Sequence, residues 1–243
     1  MARDLTYRVS RAILHLYVRA MLQLDVVWKS PPPEGPLILA ANHPSCTDPF
    51  LLPLMFHRPI RLLITLNAFQ VPGFGSFLRH LGHVPVVRRE GLPALDAARE
   101  LLEAGGSVAL FPEGRLSPRR GGFRVPRTGA ARLAMLTGVP VVPIGIHLLR
   151  AKNYGIVSSV TGKRTVGYWY LRGPYHVTVG AALRFEGDVT HEARVGEVSL
   201  TIMQQIVELA VESEERSKSE RDPASAAASR PARPTGARRE YRL

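Results

Sequence analysis

The chain carries a single cysteine, Cys46, in 243 residues, so it can form neither an internal disulfide nor a cysteine-rich zinc site. That usage fits a reducing cytosol. No uncharged apolar run reaches the roughly 18 residues that a membrane-spanning helix needs. The N-terminal stretch also lacks the uninterrupted apolar centre and small-residue cleavage site of a signal peptide, because Arg3, Asp4, Arg8, Arg11, His15 and Arg19 interrupt it. A cytoplasmic protein is expected. Acidic residues are few: 20 Asp and Glu stand against 32 Lys and Arg, a net charge of +12 that calls for an anionic partner. Aromatics make up only 7% and are not interleaved with the basic residues, so no nucleic-acid partner is expected.

What is present is a 45% hydrophobic composition, enough for one sizeable globular core. Residues 4–24 have helical spacing, with Leu5, Val9, Ile13, Leu16 and Met21 on one stripe and Arg8, Arg11, His15 and Arg19 on another. A helix lying in an anionic lipid interface has this pattern; so does a helix docked on its own domain with solvated arginines. Residues 31–36, with four prolines, form a stiff connector. Short apolar runs at 37–41, 61–64, 84–87, 108–111 and 139–146 read as strands, and helices are expected at 47–57, 74–81, 92–104 and 128–137. Further strands are expected at 175–179 and 183–185, and a closing helix at 188–214. Strands alternating with helices imply an α/β fold with a mixed, partly parallel sheet covered on both faces. The organisation expected is an N-terminal interface helix (1–30), a catalytic domain (31–216) and a disordered basic tail (217–243) too poor in large apolar residues to order itself.

The chemistry concentrates where these strands end. His43 follows the run 37–41, and strand ends of open α/β sheets are where ligands bind. Asp48, five residues on, can accept a hydrogen bond from one ring nitrogen and stabilise imidazolium, leaving the other nitrogen to take a proton from a substrate hydroxyl. Ser45 and Cys46 adjoin the histidine, but neither sits in a Gly-x-Ser-x-Gly elbow. Arg88 and Arg89 end one apolar segment, and Arg115 follows Phe111-Pro112-Glu113-Gly114 at the end of another; guanidinium groups so placed suit a phosphate. Gly114 permits close backbone approach or positive φ, and Glu113 can hold an arginine or accept from a polyol hydroxyl.

These segments resemble the 1-acylglycerol-3-phosphate acyltransferases, a glycerolipid acyltransferase family. His43 to Asp48 matches their His-x4-Asp block, Gly82 to Arg88 is similar to the second, Phe111-Pro112-Glu113-Gly114 matches the third and Val139-Pro140-Val141-Val142-Pro143 the fourth. The third block departs in reading Glu-Gly-Arg-Leu-Ser where Glu-Gly-Thr-Arg-Ser is common. The resemblance implies transfer of a fatty acyl group from acyl-CoA or acyl carrier protein to the free hydroxyl of 1-acylglycerol-3-phosphate, giving phosphatidic acid. It implies a glycerol-3-phosphate acyltransferase-like fold, His43 as base and Asp48 as its orienter. Arg88, Glu113, Gly114 and Arg115 would bind the acceptor, with Arg79, Arg89 and Arg127 as further cations and the strand at 139–146 walling the site or the acyl groove. No metal or cofactor is required, because attack on a thioester needs positioning and charge stabilisation. The expected partners are the acyl donor thioester (with acyl carrier protein as one form), a lysophospholipid acceptor and an anionic membrane surface, with the enzyme peripheral or monotopic on its cytoplasmic face. The alternatives are another lysolipid, glycolipid or aminolipid acceptor, or a non-catalytic basic membrane-binding protein.

Overall fold

The computed structural model describes residues 2–160, 162 and 164–221. A first helix, α1 (Ala2–Met21), runs directly into strand β1 (Leu22–Trp28). There follow β2 (Ile38–Ala41), α2 (Asp48–Leu51) with a 3-10 turn at Leu52–Met55, β3 (Ile60–Thr65), α3 (Leu66–Phe69), α4 (Phe74–His80) and β4 (Val84–Val86). Next come α5 (Leu92–Glu103), β5 (Ser107–Leu110), α6 (Gly129–Thr137) and β6 (Val141–Leu148). The chain closes with β7 (Tyr154–Ser158), β8 (Thr165–Trp169), β9 (Gly173–Val179) and α7 (Glu192–Arg221).

Seven strands form one sheet in the order β1-β9-β6-β2-β5-β3-β4, while β7 and β8 make a separate antiparallel ribbon. Only the β6–β9 pairing in the large sheet is antiparallel. The central strand β2 is fully buried, as its unbroken apolar run requires. Alternate side chains serve two cores. Leu39 and Ala41 join Val18 of α1, Leu51, Leu54 and Tyr175 on one face; Ile38 and Ala40 meet α5, α6 and α7 through Ala98, Ala131 and Ile202 on the other. Gly145 lets α7 close on β6, since a Cβ there would strike the backbone of Leu209 and Ala210.

The N-terminal helix stops at Met21, so residues 22–24 belong to an edge strand and not to a helix reaching Leu24. Pro85 lies in the opposite edge strand, where its missing N–H costs no ladder bond. Leu183 makes only an isolated bridge with Val141. The final helix passes the expected boundary at 216: Ser217 is buried and helical, because small serines let α7 lie close on the sheet. The remaining tail, with its arginines at 230, 233, 238, 239 and 242, lies outside the described residues.

Because β2, β5, β3 and β4 are parallel, their C-terminal ends share one edge of the sheet. The loops bearing His43, Glu113 to Arg115, and Arg88 all leave from that edge.

Candidate active site

Asn42 ends β2 by clamping β6: its side-chain amide donates to the Ile146 carbonyl at 2.8 Å and accepts from the Ile146 N–H at 2.7 Å. The next residue, His43, points its Nδ1 at Asp48 Oδ2, 2.8 Å away. Asp48 is fully buried and also accepts from the Ser45 N–H at 2.9 Å and, through Oδ1, from the Tyr175 hydroxyl at 2.5 Å. Burial and the facing Asp48 carboxylate push the Tyr175 phenol well above its ordinary pKa, so Tyr175 remains a donor. The histidine ring stacks on Phe111, with centroids 4.0 Å apart and planes inclined by 14°. The Asp48 hydrogen bond fixes Nδ1–H as the donor, leaving Nε2 as the basic nitrogen.

Glu113 braces this pair from beneath. Its Oε1 accepts from the His43 backbone N–H at 3.1 Å and from the Ser117 hydroxyl at 2.5 Å, and its Oε2 accepts from the Arg124 N–H at 2.9 Å. Ser117 N–H donates back to the His43 carbonyl at 2.7 Å. Glu113 is 3% exposed, so it positions the histidine loop and does not offer its carboxylate to an acceptor's polar head, which corrects the expectation from sequence. Gly114 has φ +66°, and the Arg127 side chain lies across the place where a Cβ would stand.

Arg115 is exposed and has no hydrogen-bond or ion-pair partner among the described residues. It leaves from β5, the strand beside β2. Arg88 and Arg89 form the tip of a tight turn closed by the Val87–Glu90 bridge, with Arg89 at φ 73°. That turn follows β4, three strands from β2, or about 14 Å along the hydrogen-bonding direction. Arg115 and Arg127 are therefore brought beside the histidine loop, whereas Arg88 and Arg89 sit at the far end of the same edge. Arg79 donates to the Phe69 carbonyl at 3.1 Å and helps to hold α3 against α4.

His43 also lines a largely apolar cleft of about 520 Å³. Its walls include Leu14, Phe50, Leu62, Phe77, Ile156 and Trp169. They come from α1, α2, β3, α4 and the β7–β8 ribbon, whereas β6 lies at the site itself, where it braces the histidine loop through Asn42. Cys46 borders the cleft, but burial raises its thiol pKa to about 11, so it is held as the non-nucleophilic thiol. Tyr175, Ser117, Phe111 and Asn42 are the supporting residues that spacing alone does not disclose.

The Acyltransferase family model matches residues 23–147, just over half of the chain. A 1-acyl-sn-glycerol-3-phosphate acyltransferase of Chlamydomonas reinhardtii is 38% identical over 121 residues, covering 47% of this chain and 35% of that protein. A chloroplastic 1-acyl-sn-glycerol-3-phosphate acyltransferase of Arabidopsis thaliana is 31% identical over 138 residues, 55% of this chain and 38% of that protein. The chain thus matches little more than a third of the length of these relatives. The crystal structure of the 1-acyl-sn-glycerophosphate (LPA) acyltransferase PlsC from Thermotoga maritima superposes with a TM-score of 0.59 at 23% identity, covering 86% of this chain and 83% of that one, and so shares its fold. On its sequence match, the chain belongs to the Acyltransferase family.

Proposed function

We propose that the protein transfers a fatty acyl group from a thioester, acyl-CoA or acyl carrier protein, to the free hydroxyl of 1-acylglycerol-3-phosphate, giving phosphatidic acid. One observation carries this reading: a buried carboxylate orients a histidine, His43, that lines an apolar cleft. The hydroxyl oxygen attacks the thioester carbonyl carbon as His43 Nε2 takes its proton. Collapse of the tetrahedral intermediate breaks the C–S bond, and the imidazolium returns the proton to the departing thiolate. Asp48, held by its three hydrogen-bond donors and in the field of Arg150, stabilises the transient imidazolium. The cleft takes an acyl chain, which its apolar lining would desolvate. The acceptor phosphate pairs with Arg115, assisted by Arg127, and Arg88 at the outer end of the edge supplies longer-range attraction.

The membrane surface is the place for such substrates. Helix α1 docks through Val18, which is buried, and through Arg11, whose guanidinium donates to the Phe56 and Leu54 carbonyls at 2.5 and 3.2 Å. Its other face exposes Leu5, Val9, Ile13 and Leu16 beside Arg8 and Arg19. No helix among the described residues is long and apolar enough to cross a membrane. An apolar face flanked by arginines suits peripheral binding to an anionic leaflet, here the cytoplasmic one.

A panel of lysophosphatidic acid, other lysophospholipids, glycolipids and aminolipids, each with labelled acyl-CoA and acyl carrier protein, tests the activity. Labelled phosphatidic acid formed faster than any other product is expected. Preference for an acceptor without a phosphomonoester would contradict the assignment of Arg115.

A further inference from the structure

The starts of β1 and β9 lie on the sheet edge from which the His43 loop leaves, because β6 runs with β2 while β9 and β1 run against β6. Ala41, the last residue of β2, faces Ile144, whereas β6 continues to Leu148, opposite Tyr175. This flank of the edge therefore projects beyond the end of β2. Three segments meet there: the last turn of α1, the turn at Arg150–Lys152 that leads into the β7–β8 ribbon, and the link from that ribbon to β9. They border a hollow of about 380 Å³. Each contributes one cation to its wall, Arg19, Lys152 and Arg172 respectively, with Met21, Gln23 and Gly173 beside them. No carboxylate lines it. The three cationic side chains are exposed and have no hydrogen-bond or ion-pair partner among the described residues. Their relative positions are held from below, because the Tyr17 hydroxyl donates to the Leu171 carbonyl at 2.6 Å and so ties α1 to the root of the ribbon. Lys152 Nζ lies 3.7 Å from the point where a Gly173 Cβ would stand.

We propose that Arg19, Lys152 and Arg172 bind the phosphate of an anionic phospholipid headgroup, with Leu16, Met21 and Leu171 entering the apolar layer around it. The site rests on the peripheral seating of α1 proposed above and adds a headgroup contact to it. Three like charges around one hollow repel one another, and an anion placed among them removes that cost. Both side-chain types serve phosphate oxygens, arginine as a planar fork and lysine as a point charge. The surroundings favour a bilayer over a soluble phosphate. Leu16, Met21 and Leu171 are exposed apolar side chains beside the cations, and Leu16 shares a helix face with Arg19 and Ala20. Basic side chains next to exposed aliphatic ones at the end of an interfacial helix are suited to lipid headgroups. Exposed large apolar side chains concentrate on α1 and on the ribbon, where Tyr154, Ile156, Val157 and Val166 are exposed; these are the two elements that the hollow joins. It is not the acceptor's own phosphate site. The hollow borders β1 and β9, which are three and two strands from β2, or ~10–14 Å across the sheet. The acceptor's phosphate is one glycerol carbon from the hydroxyl that His43 must reach. A headgroup bound here seats the projecting flank on the leaflet, with the His43 cleft, walled by the same helix and ribbon, beside it.

The test follows co-sedimentation of the full-length chain with vesicles of phosphatidylcholine alone and of phosphatidylcholine containing phosphatidylglycerol, and none of it depends on acyl transfer. Wild type should bind the anionic vesicles. A triple variant, Arg19→Gln with Lys152→Gln and Arg172→Gln, should keep the wild-type unfolding midpoint and bind them more than about tenfold more weakly. Arg99→Gln with Arg184→Gln and Arg194→Gln removes the same net charge elsewhere on the surface, and that protein should stay within about threefold of wild type. Equal weakening in the two triple variants would overturn the site, since net charge alone would then account for the attraction. Inorganic phosphate titrated calorimetrically without vesicles should show no saturable binding. Saturable phosphate binding that the first triple variant abolishes would make this a site for a soluble phosphate compound and overturn the lipid assignment. Ile13→Glu separates the site from the seating of α1. If it releases the protein while the first triple variant binds as wild type does, the headgroup site is wrong and the reading of α1 stands. Wild type that ignores anionic vesicles would remove both.

Discussion

The two ends of the proposed substrate site are built differently. At the His43 end the polar groups that hold the base are tied to the protein: Asp48 has three donors, Glu113 three, and Asn42 two bonds to one strand, while His43 Nε2 is left for the substrate. At the cationic end Arg115, Arg88 and Arg89 extend into solvent without a partner among the described residues. A base must be held before the reaction begins, because orientation accounts for much of its effect. A phosphate site instead gains from cations that no carboxylate has already neutralised, since the ligand then supplies the missing charge. One region is preorganised for chemistry and the other is left open for recognition.

Substitutions can break this contrast. The largest effect should come from the buried end: Asp48→Asn should lower kcat by about 10²–10⁴-fold with little change in acceptor KM, read from steady-state kinetics at saturating donor. Glu113→Gln keeps the shape but removes the charge that three donors share, and should cost ~1–3 kcal/mol of unfolding free energy as well as activity, measured by denaturant titration. At the open end Arg115→Gln should raise acceptor KM by about tenfold while leaving stability within ~0.5 kcal/mol of wild type. A stability loss there, or a kcat defect without a KM change, would erase the distinction between the ends. Arg88→Gln should act more weakly, and its effect should fade with added salt.

A smaller effect concerns pH. His83 accepts from the Leu62 N–H at 3.1 Å through Nδ1, and burial, aided by Arg61, lowers its pKa to about 4. The unfolded histidine titrates near 6.5, so between those values the unfolded chain binds a proton that the folded chain refuses. Stability should therefore fall as pH drops from 6.5 towards 4, and His83→Gln should flatten that part of the profile.

The legible parts of this fold were those with local signals. Strand β2 is an unbroken apolar run, β5 and β6 are apolar but for Ser107 and His147, and α5 and α6 end at glycines in turn positions. Strand β1 was hidden because Leu22 and Leu24 continue the helical spacing of α1 while Asp25 interrupts the apolar alternation. The β7–β8 ribbon escaped because it has no sheet partner and leaves Tyr154, Ile156 and Val157 exposed, so it lacks a clear two-sided pattern. The extension of α7 is carried by Ser217, a buried polar residue that reads as tail composition until the sheet is placed beneath it. In the site, His43 and Asp48 could be paired because they lie only five positions apart. Tyr175 joins Asp48 from 127 residues away, and only the sheet order brings it there. Glu113 was found by its motif but misread, because its burial depends on contacts with Ser117 and Arg124 that no spacing rule specifies.

The central claim is that His43 removes the proton from the attacking hydroxyl. The most direct measurement is turnover of labelled acyl thioester and lysophosphatidic acid by wild-type and His43→Ala proteins of equal unfolding midpoint. Wild type should form phosphatidic acid with a rate that rises as one group deprotonates, and His43→Ala should be slower by about 10³-fold or more and lose that pH dependence. A folded His43→Ala protein with near-wild-type turnover would contradict the account.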